Sequence, residues 1–221
     1  MKTVTRITAY AALVGLATLH MAHAAAQESG LSTLRTKQTY ARVEAENSEG
    51  CTHGSVGIYA FENVRRELPA GPAEPESKGL RINYSGGNWC TGESISFEAS
   101  APADNNVLRS QLDYASTAAS FSVMAWRCTV VDGTEQCGRE SVPVQLEVHW
   151  VGNPELFVRG RSSSTSRTGP TLVQSYQRGD VASAEVTYTL LVDGAPLTFS
   201  TLVASLHYVR EGSMTFTRLA P

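Results

Sequence analysis

The sequence predicts an all-β protein: an antiparallel β-sandwich built mainly as a meander, with a closed calycin-like barrel as the runner-up. Three observations carry this. Thr, Val, Ser, Tyr and Phe dominate the chain after Ala24, and such residues fit a pleated, half-buried surface. Apolar and polar residues alternate through several long segments, while no window keeps a helical period for three turns. Tight-turn signals punctuate them at Ser85-Gly86-Gly87-Asn88, Asp132-Gly133, Gly152-Asn153-Pro154, Asp193-Gly194 and Glu211-Gly212. Roughly ten or eleven strands follow from this spacing.

Taken in order, Met1 to Ala24 reads as a secretory signal peptide. Lys2 and Arg6 form a positive head, an apolar run extends from Ile7 to Met21, and Ala22-His23-Ala24 supplies the small-x-small cleavage site. The run is about 15 residues, short of the roughly 20 that span a bilayer. Residues 25–38 are polar and weakly patterned, and read as a loose N-terminal arm. Residues 39–221 read as a single disulfide-stapled β domain, in a mature chain of about 197 residues that can bury one sizeable core.

Within that domain, strands fit Val56, Ile58 and Ala60, the pair Ile95 and Phe97, and the stretch Ala184 to Leu191. Val142, Val144, Leu146, Val148 and Trp150 alternate with Pro143, Gln145, Glu147 and His149, which gives one buried face and one wet face. Leu202, Ala204, Leu206 and Tyr208 repeat the pattern, with Val203, Ser205 and His207 opposite. The segment Glu67 to Gly79, with Pro69, Pro72 and Pro75, reads as a surface excursion between strands. Asn105 to Ala119 is the nearest approach to a helix, weakened by its Ser, Thr and Asn content. A faint repeat links the strand–turn–strand unit around Val131-Asp132-Gly133 to that around Val192-Asp193-Gly194; shared turn chemistry explains most of it.

Four cysteines allow three pairings. If Asp132-Gly133 is a two-residue type I′ turn, counting outward sets Cys128 opposite Cys137 at a non-hydrogen-bonded site. There Cα atoms approach to about 4.5 Å, which a disulfide tolerates. Cys51 and Cys90 are then left to join two early strands. A zinc site is disfavoured, even with His53 two residues after Cys51, because no close Cys-x₂-Cys pair occurs.

Loss of Lys2 and Arg6 takes the net charge from −3 to about −5, which argues against nucleic acid and anionic lipid as partners. No Gly-x-Ser-x-Gly motif occurs, Glu44 and Glu46 read as a solvated face, and His53, His149 and His207 are scattered. No catalytic, cofactor-binding or metal-binding residue is assigned. The most distinctive segment runs from Asn83 to Gly92. Its Tyr84 and Trp89 are candidate ligand contacts, because aromatics beside glycines and a disulfide make a rigid stacking surface. The plainer reading packs Trp89 on the core beside Cys51 and Cys90.

The layout of Cys51, Ser55-Val56-Gly57-Ile58-Tyr59-Ala60, a Pro-rich loop, then Tyr84 to Trp89-Cys90-Thr91-Gly92 resembles a group of exported bacterial β-proteins that carry no assigned function. The resemblance spans about the first half of the mature chain. It implies a compact secreted domain and transfers no catalytic residue.

The expectation is a non-enzymatic protein, secreted or periplasmic, that binds a ligand or protein partner, with no cofactor, no nucleic acid and no membrane insertion. The alternative is a secreted hydrolase acting on an extracellular polymer, which a His converging with a Ser or carboxylate in a cleft would favour. An outer-membrane barrel would show outward apolar bands flanked by aromatics, and Arg218-Leu219-Ala220-Pro221 lacks a final aromatic.

Overall fold

In the computed structural model, residues 32–68, 77–169 and 171–217 are described, and every regular element among them is a β-strand. The signal peptide and most of the Pro-rich excursion lie outside the described residues. The strands are β1 (Ser32–Glu49), β2 (Thr52–Leu68), β3 (Ser77–Asn88), β4 (Glu93–Pro102), β5 (Val107–Leu108), β6 (Tyr114–Val131), β7 (Thr134–Thr168), β8 (Thr171–Val192), β9 (Ala195–Pro196) and β10 (Thr201–Thr217). All pairings are antiparallel. The path β1-β2-β3-β4-β6-β7-β8 is a meander, and β10 then pairs with β8 on one side and β1 on the other. Eight strands thereby join in a ring. Its weakest seam is β4–β6, paired only from Ser94 opposite Cys128 to Ser96 opposite Trp126.

Alternation fills the ring. Ala41, Val43 and Ala45 of β1, Val56, Ile58 and Ala60 of β2, and Leu80 and Ile82 of β3 are buried with Val142, Val144, Leu146, Val148 and Trp150 of β7. Leu190 and Leu206 close the remaining wall. Trp150 is fully buried, and its Nε1–H donates to the Arg42 carbonyl across the interior at 3.1 Å.

Three sequence expectations change. Of the arm expected over 25–38, Ser32 to Gln38 belong to β1, and residues 25–31 lie outside the described residues. The stretch from Ser32 to Gln38 is held by backbone ladders to β2 and β10, so it needs no apolar alternation. The helix candidate Asn105 to Ala119 instead forms β5, a short turn and the start of β6. It is pinned where Asn106 Nδ2–H donates to the Gly79 carbonyl at 2.9 Å and Thr117 Oγ–H donates to Asn106 Oδ1. Of the five turn signals, Asp132-Gly133 and Asp193-Gly194 are turns with positive φ at both residues. The other three lie inside strands, for reasons of space. A Cβ on Gly86 would sit 2.2 Å from Tyr84 Oη, and one on Gly212 would sit 2.3 Å from the Tyr176 ring. On Gly152 it would meet the Leu112 carbonyl at 1.8 Å. Each glycine admits a close neighbour rather than a reversal.

Among the described residues the ring is complete at one end only. The described β3 ladder reaches Asn63 and the β6 ladder reaches Val151, while β2, β1, β10, β8 and β7 run on to Leu68, Thr217 and Thr168 as a five-stranded extension. A register shift between Gly152 and Phe157 bends β7 into it. At its base lies Asp180, 3% exposed, with Oδ1 accepting from Arg159 at 3.2 Å and Oδ2 accepting from Arg178 at 2.5 Å. The Arg178 guanidinium, with Arg159 beside it, holds the Asp180 carboxyl below its ordinary value against the opposing push of burial. A depressed folded value stabilises above the unfolded value, about 3.9, and that contribution is lost as pH falls through the folded value. Asp180→Asn is therefore expected to lower the urea midpoint at pH 7. The gap between variant and wild type should narrow progressively as pH falls below about 4; a gap that does not shrink on acidification would contradict the pairing.

Candidate functional site

At the complete end of the ring the side-chain filling stops short, leaving a cup of about 570 Å³. That volume suits a small molecule. The chain builds it from strand ends: Asn47 closing β1, Thr52 and Gly54 opening β2, Asn88 closing β3, and Glu93 and Ile95 opening β4. Arg127 and Thr129 of β6 and Val192 of β8 complete the wall.

Two glycines shape the wall. Gly54 and Gly86 face each other across β2 and β3; Tyr84 fills the space over Gly86, and only at Gly54 is there room for more, with the Phe199 ring 3.8 Å from where a Cβ would stand. Tyr84 lies along β3 over Gly86, packed on Phe97 with centroids 5.5 Å apart, and burial pushes its hydroxyl pKa above the usual value. The segment after β9 straps the opening. Leu197 N–H donates to the Leu190 carbonyl at 2.9 Å, Phe199 N–H to Tyr188 Oη at 2.7 Å, and Ser200 N–H to the Glu46 carbonyl at 3.1 Å. This strap is where the faint internal repeat breaks down: β9 is two residues long, and the chain crosses to β1 at Thr201 before β10 rejoins β8 at Ser205.

The walls are apolar at Tyr84, Ile95, Val192, Leu197 and Phe199, and polar at Asn47, Thr52, Asn88, Glu93 and Thr129. Arg127 bridges Glu140 and Asp193, the latter at 2.7 Å, so its charge is already met by two carboxylates. The cup suits a molecule with an apolar body and a hydrogen-bonding end, and offers little to a bare anion.

The two candidate contacts separate. Tyr84 lines the cup; Trp89 does not. Nor does Trp89 pack on the core: it is 68% exposed and stacks on His53 at 4.8 Å. Its backbone N–H donates to the Cys51 carbonyl at 2.8 Å, in the turn between β3 and β4. The cysteines lie at disulfide distance in two pairs, Cys51 with Cys90 (Cα atoms 5.5 Å apart) and Cys128 with Cys137 (4.1 Å). Two such pairs point to a location outside the cytoplasm. Cys51 and Cys90 tie the rim of the cup between β2 and β3.

The histidines lie in three separate places. His53 lines the cup alongside Glu93 and Ser94, and its Nδ1 is buried without a hydrogen-bond partner. His149 Nδ1 pairs with Tyr114 Oη at 3.0 Å and Nε2 with Glu147 Oε1 at 2.9 Å, on the outer face of β7. His207 Nε2 pairs with Ser205 Oγ at 2.7 Å on β10, its ring stacked on Tyr40 at 4.3 Å. Burial, with Arg42 beside it, pulls His207 below the ordinary imidazole value. β8 separates β7 from β10 in the pairing order, so His149 and His207 do not converge. Glu44 and Glu46 are exposed, and Glu44 pairs with Arg42. Neither His pairing lines the cup, and a cation rather than a carboxylate neighbours the Ser205–His207 pair.

No family model matches the chain, and no curated protein matches it at a significant level. Among solved structures it is similar to Neisserial surface protein A at 5% identity, over 86% of this chain and 100% of that one, with a TM-score of 0.19. It is similar to the β domain of the Bordetella autotransporter BrkA at 8% identity, over 86% and 100%, with a TM-score of 0.16. A candidate AttH protein from Nitrosomonas europaea follows at 8% identity, over 80% and 92%, with a TM-score of 0.17. TM-scores this low carry no argument about fold or function.

Proposed function

We propose that the protein is an exported, non-enzymatic binding domain that holds one small, largely apolar molecule in the cup at the end of its strand ring. The single observation that carries this is the cup of about 570 Å³ at the strand ends, walled by Tyr84, Ile95, Leu197 and Phe199 and left open at Gly54, in a ring otherwise filled by its own residues. A closed path of pairings with a partly hollow end favours the ligand-holding barrel over the sandwich. The hydrolase alternative is disfavoured: His53 lines the cup, but among the described residues no hydrogen bond joins it to a Ser or a carboxylate. Outward residues mix polar side chains such as Arg81, Asn83, Ser85, Glu98 and Glu147 with exposed apolar ones such as Met124, Trp126, Val158 and Val203. The charged members of that outer face support a protein that stays in water.

Gly54 gives the test. A Cβ there meets only ordinary contacts at 3.7–3.9 Å, so Gly54→Leu should fill the cup without disturbing the fold. Titration with the neutral reporter N-phenyl-1-naphthylamine is expected to show one saturable site in the wild type. Affinity should fall at least about ten-fold in the variant, while the melting temperature stays within a few degrees. Equal binding by the two proteins would refute the site.

A further inference from the structure

The far end of the molecule carries a second feature, independent of the cup. Lys37 of β1 stands opposite Arg210 of β10, Arg210 opposite Arg178 of β8, and Arg178 opposite Arg161 of β7. Residues directly opposite share a face, so four cations form one unbroken row across four strands. Neighbouring strands lie about 4.8 Å apart, which makes the row about 14 Å long. Two residues further out, Arg66 and Arg35 stand opposite each other and add a second row on the same face. This face continues the inner wall of the ring: Arg178 and Arg159 share it with Asp180, which is buried beneath them.

The opposite face of the same strands reads Ser162, Ser164 and Ser166 on β7, and Ser175 and Gln177 on β8. Arg65 of β2 and Glu211 of β10 also lie on that opposite face, so the unpaired cations of the row are concentrated on the inner side. Like charges set directly opposite one another destabilise a sheet. No described acidic side chain pairs with Lys37, Arg161 or Arg210. In the free protein the row is a cost, and a bridging anion would offset it.

We propose that this inner face of the extension binds a linear acidic polysaccharide, a chain bearing one carboxylate per sugar. Cations recurring at the strand spacing match a polymer with regularly repeated single charges, and arginine forks pair bidentately with carboxylates. Tyr176 lies flat over Gly212 with the Arg210 guanidinium 6.0 Å from its ring centre, a platform for a sugar ring beside the cations. The position favours a glycan over a bilayer, since a flat membrane would have to enter the angle between the extension and the shorter wall of β3, β4 and β6. Disulfide-distance cysteines favour it over nucleic acid, because they point outside the cytoplasm.

The test is binding of the mature, exported protein to polygalacturonate, with neutral dextran, single-stranded DNA and phosphatidylglycerol vesicles run in parallel. The expected result is binding to polygalacturonate and not to dextran, weakened at least about ten-fold between 50 and 200 mM salt as released counterions require. The exposed pair Lys37→Gln with Arg161→Gln should lose at least about ten-fold in affinity at unchanged melting temperature. Arg81→Gln, on the outer face of β3, should leave it unaltered. Equal affinity for dextran, insensitivity to salt, an unaffected double variant, or binding confined to DNA or vesicles would each overturn the proposal. Retention of the naphthylamine site in the double variant would show that the cup stands or falls separately.

Discussion

Trp150→Ala is expected to be the most damaging single substitution in the chain. The indole is fully buried, and it reaches from β7 to β1, strands that are not neighbours in the ring, to donate to the Arg42 carbonyl at 3.1 Å. Truncation removes a large apolar surface and leaves a cavity that the surrounding strands, fixed by their ladders, can close only in part. Losses of about 3–5 kcal/mol accompany such changes, against a total stability of about 5–15 kcal/mol. For a domain of this size that corresponds to a fall in melting temperature of roughly 6–20 °C. Trp150→Phe keeps one aromatic ring in the core but loses the rest of the indole and its N–H donor, so it should cost less than the Ala variant, about 1–3 kcal/mol. Thermal melts of the two variants check this; near-equal losses would mean that the hydrogen bond, not the volume, dominates.

The second large effect is expected from Cys51→Ser with Cys90→Ser. These cysteines are 39 residues apart in sequence, whereas Cys128 and Cys137 are separated by 9. In the chain-entropy picture the longer closure stabilises by about 4 kcal/mol and the shorter by about 2–3 kcal/mol. The early pair also fixes the turn at the rim of the cup, where the Trp89 backbone N–H meets the Cys51 carbonyl. Its removal should therefore weaken reporter binding, whereas Cys128→Ser with Cys137→Ser should reduce stability and leave binding nearly intact. Urea unfolding of both double variants measures the first difference, and naphthylamine titration the second. A larger stability loss from the short pair would contradict the loop-length account.

What could be read from the chain is what local chemistry encodes. Asp132-Gly133 supplies both positive φ values of its turn, and that fixes the register that sets Cys128 opposite Cys137. Strict alternation from Val142 to Trp150 marks the inward face of β7 because every second residue there is apolar. Closure of the ring was not legible. The β10 ladder to β1 is a matter of backbone hydrogen bonds, and Gln38 opposite Val209 or Arg42 opposite Ser205 carries no side-chain signature. Glycines misled for a related reason: Gly86 and Gly212 look like turn signals until the rings of Tyr84 and Tyr176 are seen to lie over them.

The site follows the same division. Tyr84 could be singled out, but the strap from Leu197 to Ser200 could not, because its function depends on bonds to Leu190, Tyr188 and Glu46. The cationic row was invisible for a different reason. Residues 37, 161, 178 and 210 meet only through register, and a net charge of −3 hides a face on which positive charge is concentrated. Overall charge excludes a uniformly basic surface, not a local one.

The most direct test of the cup is native mass spectrometry of the exported wild-type protein beside Gly54→Leu, each loaded with N-phenyl-1-naphthylamine. The expected result is one reporter bound per wild-type chain, released on denaturation, with the variant at the mass of the bare polypeptide. Wild-type protein that carries no reporter, or a variant that carries as much, would contradict the account.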